Sequence, residues 1–229
     1  MSNATKQGPK RQERGEETRR RLLQAAIEVF GDQGPEAATR TLAHRAGVNL
    51  AAIPYHFGSK QGLYLAAAEH IASEVRIRIG PALEAAQKAV DGPLGKAEAR
   101  ALLQEVLEAF ARMMVDPVSE GFARFIIREQ MEPTAAFERL HAGFIGRAFN
   151  CFASLIAVIR DGVPDDPSIR LLVPRLIGQV MVLRAARATV LREMRWDDIG
   201  EEQFDLIRGA IRENVEALDI AAKSTGDGA

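Results

Sequence analysis

The chain has 229 residues, 30 lysines and arginines against 31 aspartates and glutamates, and a formal net charge of −1. At 47% hydrophobic residues it is too apolar for a disordered chain and long enough for one large or two small domains. Its single cysteine, Cys151, excludes a disulfide scaffold and a four-cysteine zinc site and fits a reducing, cytoplasmic compartment.

The purest apolar stretch, Ala148 to Ile159, is far short of the ~18–20 residues that span a bilayer. Neither a membrane helix nor a signal peptide is read, so no membrane partner is expected. Met1 to Ala4 look like a cloning remnant, and the sequon Asn3-Ala4-Thr5 is discounted because no secretion signal accompanies it. The near-zero charge is uneven along the chain. Residues 1–60 hold ten basic and six acidic side chains, a surplus of +4, and the remainder carries −5. A basic head precedes an acidic body.

Ala, Leu, Glu and Arg dominate and no stretch alternates with period two, so the fold class expected is all-α, with about nine helices. Residues 1–15 read as a flexible basic arm containing Lys6, Lys10, Arg11 and Arg14. Such an arm either lies on DNA or is merely solvated. The first helix is predicted from about Glu16 to Asp32, with Leu22, Leu23, Ala26, Ile27 and Phe30 on one face and Gly34-Pro35 ending it. A short helix over about Thr39 to Ala46 follows. Gly47 supplies a turn, and a third helix runs to about Phe57. Gly58 stops that helix and Ser59 caps a long fourth one, which Pro81 kinks or ends.

Further helices are predicted over about 95–114 and 119–131, from Pro133-Thr134 to about Arg160, from Ser168 to about Met194, and over about 201–222. The tail 224–229 reads as mobile. The domain division expected is a helix-turn-helix segment at 16–63 and a larger regulatory bundle at 64–223. No internal repeat is present.

Two short helices around Ala46-Gly47-Val48, with Leu42, Ala43, Ala46, Val48 and Ile53 facing inward, give the geometry in which a second helix enters a DNA major groove. The string Leu42-Ala43-x-Arg45-Ala46-Gly47-Val48, then Ile53-x-Tyr55-His56-Phe57-x-Ser59-Lys60-x-x-Leu63-Tyr64, resembles the DNA-binding domain of the TetR family of bacterial repressors. The preceding Ala26-x-x-x-Phe30-x-x-x-Gly34 belongs to the same pattern, so the match spans about residues 18–64. The short link before Arg40, the stretch Asn49 to Ile53 and the nine-helix length resemble the CecR-type branch. One departure is Pro54 where the family commonly has Tyr. Pro54 has no N–H for the carbonyl of Leu50, so the recognition helix is expected to start late or be distorted.

Arg40, Tyr55, His56 and Lys60 suit phosphate contacts, His56 also on the strength of the resemblance. Asn49 reads a base edge or caps its helix. Leu50, Ala51 and Ala52 either touch thymine methyl groups or simply fill the helix.

In the last helix Phe204, Ile207, Ile211, Val215 and Leu218 recur at helical spacing, and Leu176, Val180, Leu183 and Val190 do so in its neighbour. Such a stripe faces the body's own core or a second subunit. The resemblance implies the second, a homodimer formed by the last two helices, with Leu176, Val180, Leu183, Phe204, Ile207, Ile211 and Val215 at its interface. The middle of the chain is rich in Phe and Met. It reads as core, or as an effector pocket drawn from Phe110, Met114, Phe122, Phe125, Arg128, His141, Phe144 and Met181. The resemblance implies a small-molecule effector.

Together these readings imply a homodimeric transcriptional regulator, a repressor released from a palindromic double-stranded operator by an effector, with no cofactor, no metal and no catalytic residues. Two rival readings compete with this one. A di-iron bundle needs two Glu-x-x-His pairs and the chain offers one, Glu138 with His141; one Cys and four scattered His make no zinc site. The other is a helical adaptor that has lost DNA binding, supported only by Pro54.

Overall fold

A computed structural model describes residues 8–218, with side chains from residue 13 onward. All elements among the described residues are helical: α1 (Gly8–Gln33), α2 (Thr39–Ala46), α3 (Ala52–Phe57), α4 (Lys60–Val90), α5 (Lys96–Val115), α6 (Glu120–Met131), α7 (Ala135–Leu140), α8 (Gly146–Arg160), α9 (Pro167–Arg170), α10 (Leu172–Ala185), α11 (Arg187–Met194) and α12 (Glu201–Glu216). A 3-10 turn, Pro117–Ser119, precedes α6, and a π turn, His141–Ile145, joins α7 to α8.

Three boundaries differ from the sequence reading. α1 starts at Gly8 instead of Glu16, so positions 8–15 of the proposed arm have helical backbone. Pro9 is the second helical residue, where its missing N–H costs no intrahelical bond. Lys6 lies outside the described residues, as do the side chains of Lys10 and Arg11 and the whole tail 224–229. α4 runs unbroken through Pro81. The carbonyl that Pro81 leaves without a donor is that of Ile77, whose side chain is 66% exposed, so water reaches this stretch. The helix expected from Ser168 to Met194 is interrupted at Leu171 and Ala186. Pro174 explains the first break, because its ring and absent N–H oppose the carbonyl of Arg170, where α9 ends.

The chain divides into two compact units. The first takes in residues up to Ser73 together with Gly121–His141, and the second takes in Glu74–Glu120 and the residues from Ala142 onward. In the first, α1 buries Leu22, Ala26, Ile27 and Phe30 completely, and Leu42, Ile53, Leu63 and Ile71 complete the same core. Phe125 of α6 joins them. Its ring lies 4.8 Å from that of Tyr64, which meets Phe30 edge-on at 4.8 Å. Arg124 pairs with Asp32 at 2.8 Å, and Arg128 donates to the Asp32 carbonyl at 3.0 Å, satisfying the C-terminus of α1.

In the second unit α5 packs against α8, α10 and α12. Arg112 of α5 makes a bidentate pair with Glu201 at 2.8 and 3.2 Å and stacks over Phe204, 4.0 Å from the ring centroid. Arg184 of α10 donates to the carbonyls of Met114 at 2.7 Å and Asp116 at 2.6 Å, tying down the end of α5. Continuous helix from Ala135 to Arg160 has a window of mean hydropathy 1.7, long and apolar enough to cross a bilayer by those criteria. The sequence reading missed it because it counted only the purest stretch. Part of this stretch is core: Phe152, Leu155, Ile156 and Ile159 are buried against the neighbouring helices, whereas Phe144, Ile145 and Phe149 are half-buried.

Candidate nucleic-acid interface and regulatory sites

The turn between α2 and α3 is built by long-range polar contacts on a local backbone requirement. Gly47 adopts φ +61°, the left-handed region that favours glycine, and closes α2 with N–H bonds to the carbonyls of Ala43 and His44. Its own carbonyl accepts from Arg21 Nη2 of α1 at 2.9 Å. Arg45 Nε donates to Glu28 Oε2 at 2.7 Å, a second tie from α2 to α1. Gly62 is required for a different reason. A Cβ there would fall 2.0 Å from the Phe57 carbonyl oxygen, where α3 ends against the start of α4. Ser59 caps α4 as expected, accepting from Gly62 N–H at 2.9 Å.

The recognition helix does start late. Asn49 Oδ1 accepts from Ala51 N–H at 2.8 Å, the capping role of the two considered for it. Ala52 and Ile53 then donate to the carbonyls of Asn49 and Leu50 at 2.9 and 3.3 Å, the tight i to i+3 pattern of a 3-10 turn. The Leu50 carbonyl, which Pro54 has no N–H to serve, is therefore bonded by Ile53. Tyr55 resumes the α pattern by donating to Ala51 at 3.3 Å. Pro54 is absorbed without an orphaned carbonyl.

Ile53 points inward, 1% exposed, and turns the opposite side of α3 to solvent. On that side Leu50 is 45% and Tyr55 79% exposed, with Ala51 also exposed and Ala52 half-buried. Arg40 is exposed. His56 is half-buried, its ring 4.9 Å from that of Tyr55 and near Gly15 of α1. Lys60 is half-buried, and its ammonium lies 3.8 Å from Glu36. The structure thus sets Asn49, Leu50, Ala51, Ala52, Tyr55, His56 and Lys60 on or directly flanking one short helix, with Arg40 exposed at the start of α2. It adds two residues the sequence reading passed over: Arg21, and Arg19, whose guanidinium stacks 5.4 Å from the Phe57 ring. Their signal was available, since both lie on the solvent side of an amphipathic helix, but their partners are far along the chain.

The expected interface stripe faces inward in the single chain. Leu176, Val180, Leu183, Phe204, Ile207, Ile211 and Val215 are all buried inside this one chain, on the faces of α10 and α12 in its own core. The periodicity marked a buried face, and α5 is what covers it. The outward faces are different residues: Leu171 and Val182 beside Gly178 on or next to α10, and Leu206 beside Gly209 and Ala210 on α12. A Cβ at Gly178 or Gly209 would meet nothing within 4 Å.

The predicted pocket residues are divided between the two units. Phe122, Phe125, Arg128 and His141 belong to the first unit, where Phe125 is core and Arg128 caps α1. His141 is exposed against Phe137, its ring 5.9 Å away. Phe110, Met114 and Met181 lie in the second unit, Met114 fully packed. Phe144 lines a cleft. That cleft, within the second unit, is a small, partly open groove of about 40 Å³ between Val75–Glu84 of α4 and Gly143–Ala148. Cys151 is fully buried, and burial pushes its thiol up to about 11, so it is an unreactive core group. Among the described residues no three His, Cys, Asp or Glu side chains cluster as metal ligands.

One buried polar cluster was not foreseen. Glu129 of α6 is 0% exposed and accepts from the Tyr64 hydroxyl, from Thr134 N–H at 3.0 Å and from Thr134 Oγ1 at 3.0 Å. Tyr64 and Glu129 are 65 positions apart, beyond any local pattern.

Comparison with known proteins agrees with this geometry. Residues 22–67 match the family of bacterial regulatory proteins of the tetR type, and residues 99–221 match the C-terminal domain of the HTH-type transcriptional dual regulator CecR. The chain is 31% identical to the HTH-type transcriptional dual regulator CecR of Shigella flexneri over 206 residues, covering 90% of this chain and 92% of that protein. It is 42% identical over 64 residues to the HTH-type transcriptional regulatory protein RaaS of Mycobacterium tuberculosis, 28% of this chain and 30% of that one. Among solved structures it resembles a TetR-family transcriptional regulator from Streptomyces coelicolor, with TM-score 0.59 at 17% identity over 89% of this chain and 94% of the other. It also resembles a TetR-like transcriptional regulator from Rhodococcus sp. RHA1, with TM-score 0.55 at 17% identity over 87% and 94%. An exposed, scaffolded α3, a matching helix-turn-helix segment and a matching C-terminal domain lead to one conclusion: the chain belongs to the TetR family, with a CecR-type C-terminal domain, and is a DNA-binding transcriptional regulator.

Proposed function

We propose that the chain is a homodimeric repressor that holds a palindromic operator and is released from it by a small molecule. The observation that carries this reading is the outward face of α3. Leu50, Ala51 and Tyr55 are exposed on a helix whose inner residue, Ile53, is locked in the core. Apolar and aromatic groups left in water at that position have a use if they meet base edges and thymine methyls. Arg40, His56 and Lys60 border the helix as phosphate donors. Pro54, which favoured a non-binding adaptor, is accommodated, and that alternative loses its support.

The dimer in this reading uses the outward faces of α10 and α12. Leu171, Val182 and Leu206 supply apolar area, and Gly178, Gly209 and Ala210 let partner helices approach closely. Two-fold symmetry then sets two α3 helices at half-sites about one DNA turn apart, roughly 34–36 Å. The effector acts by binding one arrangement of the recognition helices better than the other. A differential affinity of ~1–3 kcal/mol changes operator affinity by about 5- to 150-fold.

The test is a fluorescence-anisotropy titration on the DNA upstream of the protein's own gene, repeated over a salt series. A salt-steep, saturable signal is expected, and Lys60→Ala weakens binding to all sequences while reducing the log–log salt slope by about 1. No binding even at low salt refutes the reading; an unchanged slope refutes the role of Lys60. Sedimentation velocity on Leu206→Glu tests the dimer, with a monomer as the expected species.

A further inference from the structure

The cleft between α4 and the π turn has a chemistry of its own. Val75, Ile79 and Leu83 recur every fourth residue on α4 and form one apolar wall, and Phe144 stands opposite. Arg76 and Arg147 sit on its rim, both exposed, and neither makes an ion pair or hydrogen bond among the described residues. Glu84 also lines the cleft, but two helical turns beyond Arg76, about 12 Å along the axis at 1.5 Å per residue. Two guanidiniums against one carboxylate leave the cleft with a positive surplus, and Arg76 itself stands away from Glu84.

Two backbone features line the same cleft. Gly80 is buried in the middle of the 31-residue α4, yet a Cβ there would touch only Arg76 Cγ, at an ordinary 3.6 Å. Packing does not demand glycine, and alanine is better in a helix by about 1 kcal/mol. What glycine does is leave the floor of the cleft bare. Gly143 and Phe144, on the facing wall, lie in the π turn His141–Ile145, an irregularity that recurs at functional sites. Pro81, next to Gly80, removes one hydrogen bond from α4 at this level, so the helix is softened where the cleft meets it.

The geometry points to a binding site for a small amphipathic monoanion, its carboxylate on Arg76 and Arg147 and its apolar tail along Val75, Ile79, Leu83 and Phe144. This deepens the regulator reading above and rests on it, because the site would be where the effector acts. The placement suits that role. The chain passes between the two compact units three times, at Ser73–Glu74, Glu120–Gly121 and His141–Ala142, and the cleft walls begin just past the first and third of these, at Val75 and Gly143. An occupant touches two of these three connecting segments one or two residues past the passage, beside the softened stretch of α4.

The test uses octanoate as the probe, with 1-octanol and octylammonium as neutral and cationic controls of the same length, titrated calorimetrically into the full-length chain. Octanoate is expected to bind saturably, more tightly than either control. Arg76→Ala with Arg147→Ala weakens octanoate at least tenfold and leaves octanol within twofold. Gly80→Leu fills the floor and abolishes binding of both, and Gly80→Ala, which the helix tolerates, weakens them about threefold. Tighter binding of octylammonium, unchanged octanoate binding in the arginine or glycine variants, or no saturable binding to the wild type each overturns the proposal. Operator binding without the probe is measured on the same preparations. Its absence in the wild type sinks the regulator reading, while the octanoate titration still decides whether the cleft is a site.

Discussion

Tyr64→Phe isolates one hydroxyl in the buried cluster of the first unit. The ring stays, so its packing against Phe30 and Phe125 is kept, and only the donor to Glu129 is lost. The carboxylate, 0% exposed, then depends on Thr134 N–H and Oγ1 alone. Hydrogen bonds to charged groups contribute about 1.5–3 kcal/mol, and a buried acceptor that loses its donor has no water to replace it. At roughly 2–4 °C per kcal/mol for a chain of this size, the melting temperature falls by roughly 3–12 °C. The assay is a paired thermal and urea denaturation of wild type, Tyr64→Phe, Glu129→Leu, which removes the acceptor, and the double variant. The double variant should be less destabilised than the two singles added together, because the shared bond is lost only once. A Tyr64→Phe variant within about 0.5 kcal/mol of wild type, or strictly additive singles, would show that this hydroxyl does not satisfy Glu129.

Three more outcomes follow from named contacts. Burial, with the Tyr64 bond to Glu129 adding to it, pushes the Tyr64 phenol above its usual value near 10, so its contribution to stability is intact below pH ~10 and is lost as pH rises further; the wild type should lose more stability than Tyr64→Phe between pH 9 and 11 in urea titrations. Gly47→Ala should cost roughly 2–3 kcal/mol by chemical denaturation: about 1–2 for a left-handed non-glycine residue and the remainder for Arg21, whose Nη2 lies 2.4 Å from the new Cβ. In an Arg21→Ala background only the first part should remain. Ile211→Ala, in the core of the second unit, should cost about 2–5 kcal/mol, whereas a monomeric preparation of Leu206→Ala should stay within about 0.5; equal losses would reverse the assignment of inner and outer faces of α12.

The helix-turn-helix was legible because its determinants are local. Gly47, Asn49 and Ser59 each act within four residues of their own position, and the structure shows a turn and two caps there. The late start of α3 was also readable, from one proline. Pro174 carried an equally plain signal that went unused, and α10 is separated from α9 as a result. What could not be read was the identity of the covering partner. The stripe Phe204, Ile207, Ile211, Val215 announces a buried face, but its period is the same whether a neighbouring helix or another subunit covers it; α5 does, through Arg112 and Glu201, 89 positions apart. Aromatic richness misled in the same way. Phe122 and Phe125 lie in a mid-chain segment yet pack in the unit that holds the recognition helix.

Pro54 has a thermodynamic consequence for recognition. Its fixed φ and the prior use of the Leu50 carbonyl by Ile53 mean that α3 cannot grow toward its N-terminus when DNA arrives. The ordering cost of this edge is met when the protein folds and is not deducted from operator affinity. Binding should therefore carry the heat-capacity signature of rigid docking, proportionate to the surface that α3 buries, without the additional large negative change that accompanies segments folding on their target.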